Sequence, residues 1–435
     1  MTSTTFKSAH PSSKPVSTEI QLSDEQKIAL DLLKSGDNIF LTGGAGSGKS
    51  FVVRELMRDL DSESMPILAS TGAAAVLLGG RTFHSFFGIG IMEGGLEATV
   101  QRALKDKKLL KRLAKVDGVV IDEISMIPGE ALAAAEFLSA AARESTLPWG
   151  GMRVIAVGDF GQLPPVTMSG KKRDWCFQHL VWERTNFIVY QLKYNQRVQE
   201  SDYLEVLEQV RSGKLDAKGR QFLNSRVKIH DENHPGTRLF PRRDQSEFYN
   251  QKKLSEINQE EHSIPSIYLG EEKFITSLKK NAPVPEELKI KINCRVLFLK
   301  NDAQKRYVNG TRGTVVSIES DHIIVKKDSR DRIGFGREIK VEKMQFSLLD
   351  PDGNIKASVI QFPLTLAYAT TIHKSQGATI DELWCDLASL WEPGQAYVAL
   401  SRLRDSSGLH IVRWSERSII TDPAVSLFYR QIEEI

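Results

Sequence analysis

The chain has 435 residues, 41% of them hydrophobic and 26% charged, a balance that supports large buried cores and excludes a disordered, collagen-like or coiled-coil protein. At about 150 residues per domain the length suggests roughly three domains. Lys and Arg number 58 against 55 Asp and Glu, a net charge of +3, so no overall basic excess points to nucleic acid and any such partner is held by local patches. Cys176, Cys294 and Cys385 lie far apart in sequence. They offer neither a zinc-ligand spacing nor a disulfide framework and fit a reducing compartment. No run of 18 apolar residues occurs, which predicts no membrane span.

In chain order, residues 1–20 form a Ser/Thr-rich tail without the apolar region of a secretory signal. The first acid is Glu19, so a disordered tail and a short transit peptide both fit, and the tail is the simpler expectation. Ser23 followed by Asp24, Glu25 and Gln26 predicts a capping box opening an amphipathic helix with Ile28, Leu32 and Leu33 on its apolar side. Buried strands are expected at Asn38–Leu41, Pro66–Ala69, Gly118–Ile121, Arg153–Val157 and Phe187–Gln191. Helical stretches separate several of these, which is the pattern of an α/β fold with a doubly wound parallel sheet. Arg102–Lys115 holds seven basic residues and one acid, Asp106, interleaved with leucines, and predicts one basic amphipathic helix. Short β-rich runs at Arg295–Lys300, Gly313–Ile318, His322–Lys327 and Ile339–Phe346, divided by Asn-Gly, Asp-Ser and Gly-rich turns, predict a small antiparallel barrel inserted into a second α/β domain.

Three segments carry phosphate chemistry. Gly43-Gly44-Ala45-Gly46-Ser47-Gly48-Lys49-Ser50 follows a strand and opens a helix, as a phosphate-binding loop must. Its glycines let backbone N–H groups turn toward phosphate oxygens, and the helix N-terminus adds its dipole. Lys49 can reach the β- and γ-phosphates and the Ser50 hydroxyl can hold Mg²⁺, so ATP and Mg²⁺ are the expected cofactors. Asp122-Glu123 ends a buried strand, where such sheets place their ligands. Asp122 suits the Mg²⁺ shell and Glu123 the polarisation of an attacking water. Gly158-Asp159-Phe160-Gly161-Gln162-Leu163-Pro164-Pro165 follows another strand, where Gln162 can report the γ-phosphate; a rigid loop is the alternative.

In this order the motifs resemble those of a superfamily-one helicase, and more narrowly the petite integration frequency (Pif) helicase family. Pro148-Trp149-Gly150-Gly151, Val308-Asn309-Gly310-Thr311-Arg312-Gly313, Gln361–Ala369, Thr371-Ile372-His373-Lys374-Ser375-Gln376-Gly377 and Gly394–Arg402 resemble that family nearly residue for residue. The resemblance covers about 22 to 430. It implies two RecA-like parallel-sheet motor domains, the first at 21–190 with a small wedge insertion at about 83–116. The second would span 191–293 and 359–435, split by a β-barrel insertion at 294–358. It further implies that Gln26 contacts adenine and that Arg197 and Arg402 are arginine fingers. Thr71, Thr82, His84, Ser85, Phe86, Asn309, His373 and Lys374 are the implied nucleic-acid contacts, with His84 and Phe86 offering faces for unpaired bases and hydroxyls donating to phosphates. Phe83, Phe86 and Phe87 equally suit a core, and at least one is expected there.

The implied activity is an ATP-dependent DNA helicase moving 5′→3′ on single strands, with single-stranded and tailed or structured duplex DNA as partners. The implied roles include repair and recombination. A monomer is expected, cytoplasmic in a prokaryote or phage and nuclear or mitochondrial in a eukaryote. Two segments depart from the family pattern: Gln196 stands where an aromatic residue is usual, with Val198 in place of a glutamine, and Arg242-Arg243 replace a common Thr-Asn pair. A protein-remodelling ATPase, a passive single-strand-binding module and an RNA or hybrid preference remain as alternatives.

Overall fold

The computed structural model describes residues 22–433, apart from 79, 91, 93, 167–171, 230, 232–233, 235, 303, 305 and 329–335; the tail expected at 1–20 lies outside the described residues. Helix α1 (Asp24–Lys34) begins at the expected capping box, with Ser23 and Gln26 satisfying each other's backbone N–H. The first lobe follows as β1 (Ile39–Gly43), α2 (Lys49–Asp59), β2 (Ile67–Ala69), α3 (Gly72–Leu78), β3 (Arg81–Thr82), α4 (Phe83–Phe86), α5 (Gly95–Ala103), α6 (Lys107–Lys115), β4 (Gly118–Ile121), α7 (Gly129–Ala142), β5 (Arg153–Val157), α8 (Leu180–Thr185) and β6 (Ile188–Leu192). Its six strands pair in parallel in the order β3-β2-β4-β5-β1-β6. β1 and β4 are buried along their whole length, as strands covered on both faces by helices must be.

The chain continues through α9 (Ser201–Ser212), α10 (Ala217–Ser225), β7 (Thr237–Phe240) and α11 (Arg243–Ser255). It then leaves the second lobe through β8 (His262–Pro265), β9 (Ile267–Gly270), α12 (Glu272–Asn281), β10 (Glu287–Ile290), β11 (Arg295–Phe298), β12 (Arg312–Ile318), β13 (His322–Lys327), β14 (Glu338–Glu342), β15 (Met344–Leu349), β16 (Ile355–Gln361) and β17 (Leu364–Leu366). β18 (Ala369–Thr371), β19 (Leu383–Asp386), α13 (Gln395–Leu400), β20 (Leu409–Arg413) and α14 (Pro423–Glu433) complete it. The second lobe's sheet, β18-β7-β19-β20, is parallel.

Four expectations about organisation change. The basic stretch is two helices: Asp106 caps α6 by accepting from Lys108 and Leu109 N–H, which breaks the run. The insertion pairs as an antiparallel ladder β14-β13-β12-β11-β17 beside a three-stranded sheet β15-β16-β9 and the pair β10-β8. No pairing between β14 and β17 closes a barrel among the described residues. The insertion also takes in more chain than 294–358, because β9 pairs with β16 and β11 with β17. Last, α14 belongs to the first lobe's core and not to the second lobe: Phe428 stacks on Phe177 at 4.4 Å, and Val425 and Tyr429 are buried with Phe40, Phe160 and Trp182. The apolar stripe of α14 finds its cover on that aromatic cluster.

The expected wedge region is well anchored. Phe83, Phe86, Phe87, Leu109 and Leu113 are all buried in the first lobe's core. The insertion rests on the first lobe through Val76 of α3, packed with Phe346 and Leu278, and through an ion pair of Arg112 with Asp352 at 2.8 Å. The three cysteines are free and buried. No helix among the described residues is long and apolar enough to cross a membrane.

Candidate active site

The glycine loop turns between β1 and α2, and its left-handed positions Gly46 (φ 90°) and Gly48 (φ 94°) are ones a side chain would strain. A cleft of about 610 Å³ opens over it, lined by Lys49, Ser50, Glu123 and Gln162 from the first lobe and by Arg197 and Arg402. Its size suits a nucleotide. Two segments distant in sequence meet across it.

Lys49 donates to the carbonyls of Gly43 (2.7 Å) and Gly44 (3.1 Å), which hold its ammonium inside the loop. Burial pushes its pKa down, against the pull of Asp159, Glu123 and Asp122. Asp122 ends β4 and accepts the Glu123 N–H at 3.0 Å; burial raises its carboxyl, opposed by that hydrogen bond and by Lys49. Glu123 is held in a left-handed conformation (φ 53°) at the strand end, a cost of about 1–3 kcal/mol that aims the carboxylate into the cleft. Its pKa is pushed up to about 7, first by burial and then by the Asp122 charge, with Lys49 and Arg402 pulling it back. A carboxyl poised near neutrality is matched to general-base work.

Arg402 is 2% exposed. Its Nε donates to Val398 O (2.8 Å), and its Nη atoms to Ser375 O (3.2 Å) and Ser401 Oγ (3.0 Å). Burial lowers its pKa to about 9, with the Arg197 charge adding to that and Glu123 opposing it. Arg197 donates to Ser401 O at 2.6 Å, so both arginines are fixed on the end of α13. Gln162, 5% exposed, lines the same cleft. Gln26 does not line it. Its side chain is spent on the Ser23 N–H and on Ser47 O (3.3 Å), so it braces the loop.

Sequence reasoning overlooked the buried network behind the loop. Asp159 Oδ1 accepts from Arg211 Nη2 (3.0 Å) and Nε (3.2 Å), from Gly161 N–H (3.0 Å) and from the Tyr429 hydroxyl (3.0 Å). The Tyr429 hydroxyl in turn accepts the Phe160 N–H at 2.9 Å and lies 3.1 Å from Thr42 Oγ1. Burial opposes ionisation of Asp159, but the Arg211 and Lys49 charges outweigh it and hold its pKa below the usual range. Arg211 comes from α9 and Tyr429 from α14, so one carboxylate joins three parts of the chain. Asp159 lies in the Gly158–Pro165 segment, but nothing in that segment points to Arg211, 52 residues downstream.

The nucleic-acid candidates divide. Thr71 and Thr82 cap α3 and α4, accepting from Ala74 and Ser85 N–H and leaving each O–H free to donate. His84 is half-buried, and burial lowers its pKa; Ser85 is half-buried beside it. Phe86 is 0% exposed, packed edge-on to Phe87 under the Arg112 and Arg81 guanidiniums; it cannot stack on a base. His373, Lys374 and Asn309 are exposed. Arg243 is paired along its helix with Glu247 at 2.6 Å, whereas Arg242 lies 5.4 Å from the ring of Trp391, an indole 52% exposed that no motif had singled out. His234, Glu382 and His410 approach one another on the second lobe. His234 Nδ1 accepts from Gly236 N–H and Trp384 Nε1, so its Nε2 is the ring nitrogen that faces Glu382, 3.5 Å away, and the same Glu382 oxygen lies 3.4 Å from His410 Nε2.

A family model described as PIF1-like helicase matches residues 21–221. The ATP-dependent DNA helicase Pif1 of Bdellovibrio bacteriovorus is 64% identical over 415 residues, covering 95% of this chain and 93% of that protein. The ATP-dependent DNA helicase PIF1 of Xenopus laevis is 33% identical over 430 residues, covering 98% of this chain and 67% of that one. Among solved structures, Bacteroides Pif1 in complex with ADP-AlF4 superposes with a TM-score of 0.82 at 29% identity, covering 96% of this chain and 98% of that chain. Bacteroides Pif1 bound to ssDNA superposes with a TM-score of 0.64 at 31% identity and the same coverage.

Proposed function

The chain belongs to the PIF1-like helicase family, and from that premise we propose how its two lobes divide the work of an ATP-dependent DNA helicase. It hydrolyses ATP and couples that reaction to movement along single-stranded DNA and the separation of paired strands. One observation carries the assignment of residues: Lys49 and Glu123 from the first lobe and Arg197 and Arg402 from beyond it share a single cleft.

ATP lies with its phosphates against N–H groups of the loop's end at Gly46–Ser50, the Ala45 N–H being held by the Tyr397 hydroxyl, and Lys49 neutralises oxygens of the β- and γ-phosphates. The donors present suit Mg²⁺: a cleft-facing hydroxyl on Ser50 and the carboxylate of Asp122 are hard oxygen ligands. When bound, the ion supplies charge neutralisation on the phosphate oxygens. Glu123 takes a proton from the attacking water as the water oxygen bonds to the γ-phosphorus. The bond from that phosphorus to the β–γ bridging oxygen breaks, giving ADP and phosphate. Arg402 and Arg197 stabilise the charge spread over the transferred group, and a guanidinium fork is well shaped for that. Gln162 orients the water or reads the γ-phosphate. Because both arginines are held at the end of α13 and the loop belongs to the first lobe, hydrolysis loosens the contact between lobes, and this opening and closing drives the step along DNA.

The strand runs past Thr71, Thr82, Ser85 and His84 on the first lobe and His373 and Lys374 on the second, with Asn309 at the insertion. Hydroxyls and lysine meet phosphates, and the exposed face of Trp391 takes a base. Such contacts carry little sequence information. The expected direction is 5′→3′, and the expected working unit is a monomer. The test is displacement of matched duplexes bearing a 5′ or a 3′ tail, with and without ATP: ATP-dependent displacement of the 5′-tailed duplex supports the reading, and displacement confined to the 3′ tail refutes the direction. Displacement of neither refutes the helicase mechanism.

A further inference from the structure

The segments that carry Arg197 and Arg402 also grip the backbone of the phosphate loop at Ala45 and Gly46. The Ala45 N–H donates to the Tyr397 hydroxyl at 2.7 Å, and the Ala45 carbonyl accepts from Asn195 Nδ2 at 2.8 Å. The next carbonyl, of Gly46, accepts the Gln196 N–H at 2.8 Å. Asn195 and Gln196 immediately precede Arg197, and Tyr397 lies on α13, whose end carries Arg402. Arg197 is bonded to that same end at Ser401.

The loop is shaped to admit these side chains. A Cβ at Gly44 would stand 3.3 Å from the Tyr397 hydroxyl, and one at Gly46 would stand 2.7 Å from Asn195 Oδ1. Glycine at these positions therefore clears room for the second lobe as well as for phosphate. The Tyr397 ring is 3% exposed and packed among Tyr203, Leu400 and Leu403, so the hydroxyl stands at a fixed height above the loop. Burial, with the Asp159 charge behind it, pushes the phenol well above its ordinary range. It stays neutral, accepts from Ala45 and keeps its own proton to donate.

We propose that Tyr397 is a positioning residue for ATP hydrolysis, its hydroxyl tying the phosphate loop at Ala45 to α13 and so setting the register of Arg402 and Arg197 against the γ-phosphate. The proposal deepens the ATPase reading of the cleft and rests on it, but the tie itself can be measured without turnover.

Tyr397→Phe removes one oxygen and keeps the buried ring, so the chain still folds, and the Ala45 N–H left without its acceptor lowers the melting temperature by a few degrees at most. In the full chain without nucleotide, amide hydrogen exchange at Ala45 rises about fivefold or more in the variant; unchanged exchange overturns the proposal. With ATP and saturating single-stranded DNA, kcat falls two- to tenfold, the span of a neutral hydrogen bond, while KM for ATP moves less than twofold. A raised KM at unchanged kcat overturns it by making Tyr397 a binding element. In an Arg402→Lys background the same change has little further effect, because the hydroxyl acts through that arginine; independent, multiplying losses overturn it. A wild-type chain that hydrolyses no ATP refutes the ATPase reading, whereas the exchange measurement still decides whether the tie exists.

Discussion

Glu123→Gln separates the two consequences of burying a carboxylate at the end of β4. The wild-type group titrates at about 7 against an ordinary value of 4.5. At 1.36 kcal/mol per pH unit the ionised form costs the folded state up to about 3 kcal/mol. Water reaching this half-buried side chain trims the cost to about 1–3 kcal/mol. Because the folded pKa is raised, the group does not weaken the fold below about pH 4.5, and stability is lost as pH climbs through about 7. Glutamine keeps the shape without the charge. The variant should therefore melt roughly 1–4 °C above wild type at pH 8 and nearly level with it at pH 4.5, the gap opening across the interval between. Hydrolysis should fall by about 10²- to 10⁴-fold, the contribution of a general base. Wild-type kcat/KM should rise with pH up to an apparent pKa near 7. Differential scanning calorimetry at both pH values and a phosphate-release assay measure the two effects. A gap of the same size at pH 4.5 and 8, a variant less stable than wild type at pH 8, or turnover within tenfold of wild type would refute the reasoning.

Arg402→Ala should lower kcat by about 10³- to 10⁵-fold with fluorescent-nucleotide affinity changed little; a selective loss of nucleotide binding instead would remove it from the transition state. Arg211→Ala leaves Asp159 buried without its cation and should cost about 3–5 kcal/mol in urea unfolding, most of it regained when Asp159→Asn is added. A fully additive double variant would show the pair to be unimportant. Trp391→Ala should weaken single-strand binding by about 1–3 kcal/mol at unchanged salt dependence. Lys374→Ala, by contrast, should reduce the slope of log K against log salt by about 0.7; an unchanged slope in this variant would sink the phosphate contact, and an unchanged affinity in Trp391→Ala would sink the stacking.

Features made by neighbouring residues acting together were legible from the chain alone. The loop at Gly43–Ser50 was legible because a phosphate cradle needs glycines, a lysine and a hydroxyl in one contiguous turn, and β1 and α2 fall where that turn requires them. Asp122-Glu123 was legible for the same reason, as acids ending a short apolar run, and so was the Ser23 cap. Which distant surfaces meet had to wait for the folded chain. Phe86 carries the same aromatic pattern whether it faces DNA or a core, and the packing of α6 against it settles that it is buried. Nothing near α14 announces that its aromatic stripe crosses back to the first lobe, since the partners, Phe160, Phe177 and Trp182, lie far upstream. The ring of contacts around Asp159 and the hydroxyl of Tyr397 on Ala45 are decided the same way. A buried charge or a backbone N–H accepts any partner of the right chemistry, and only the folded chain determines which one is within 3 Å.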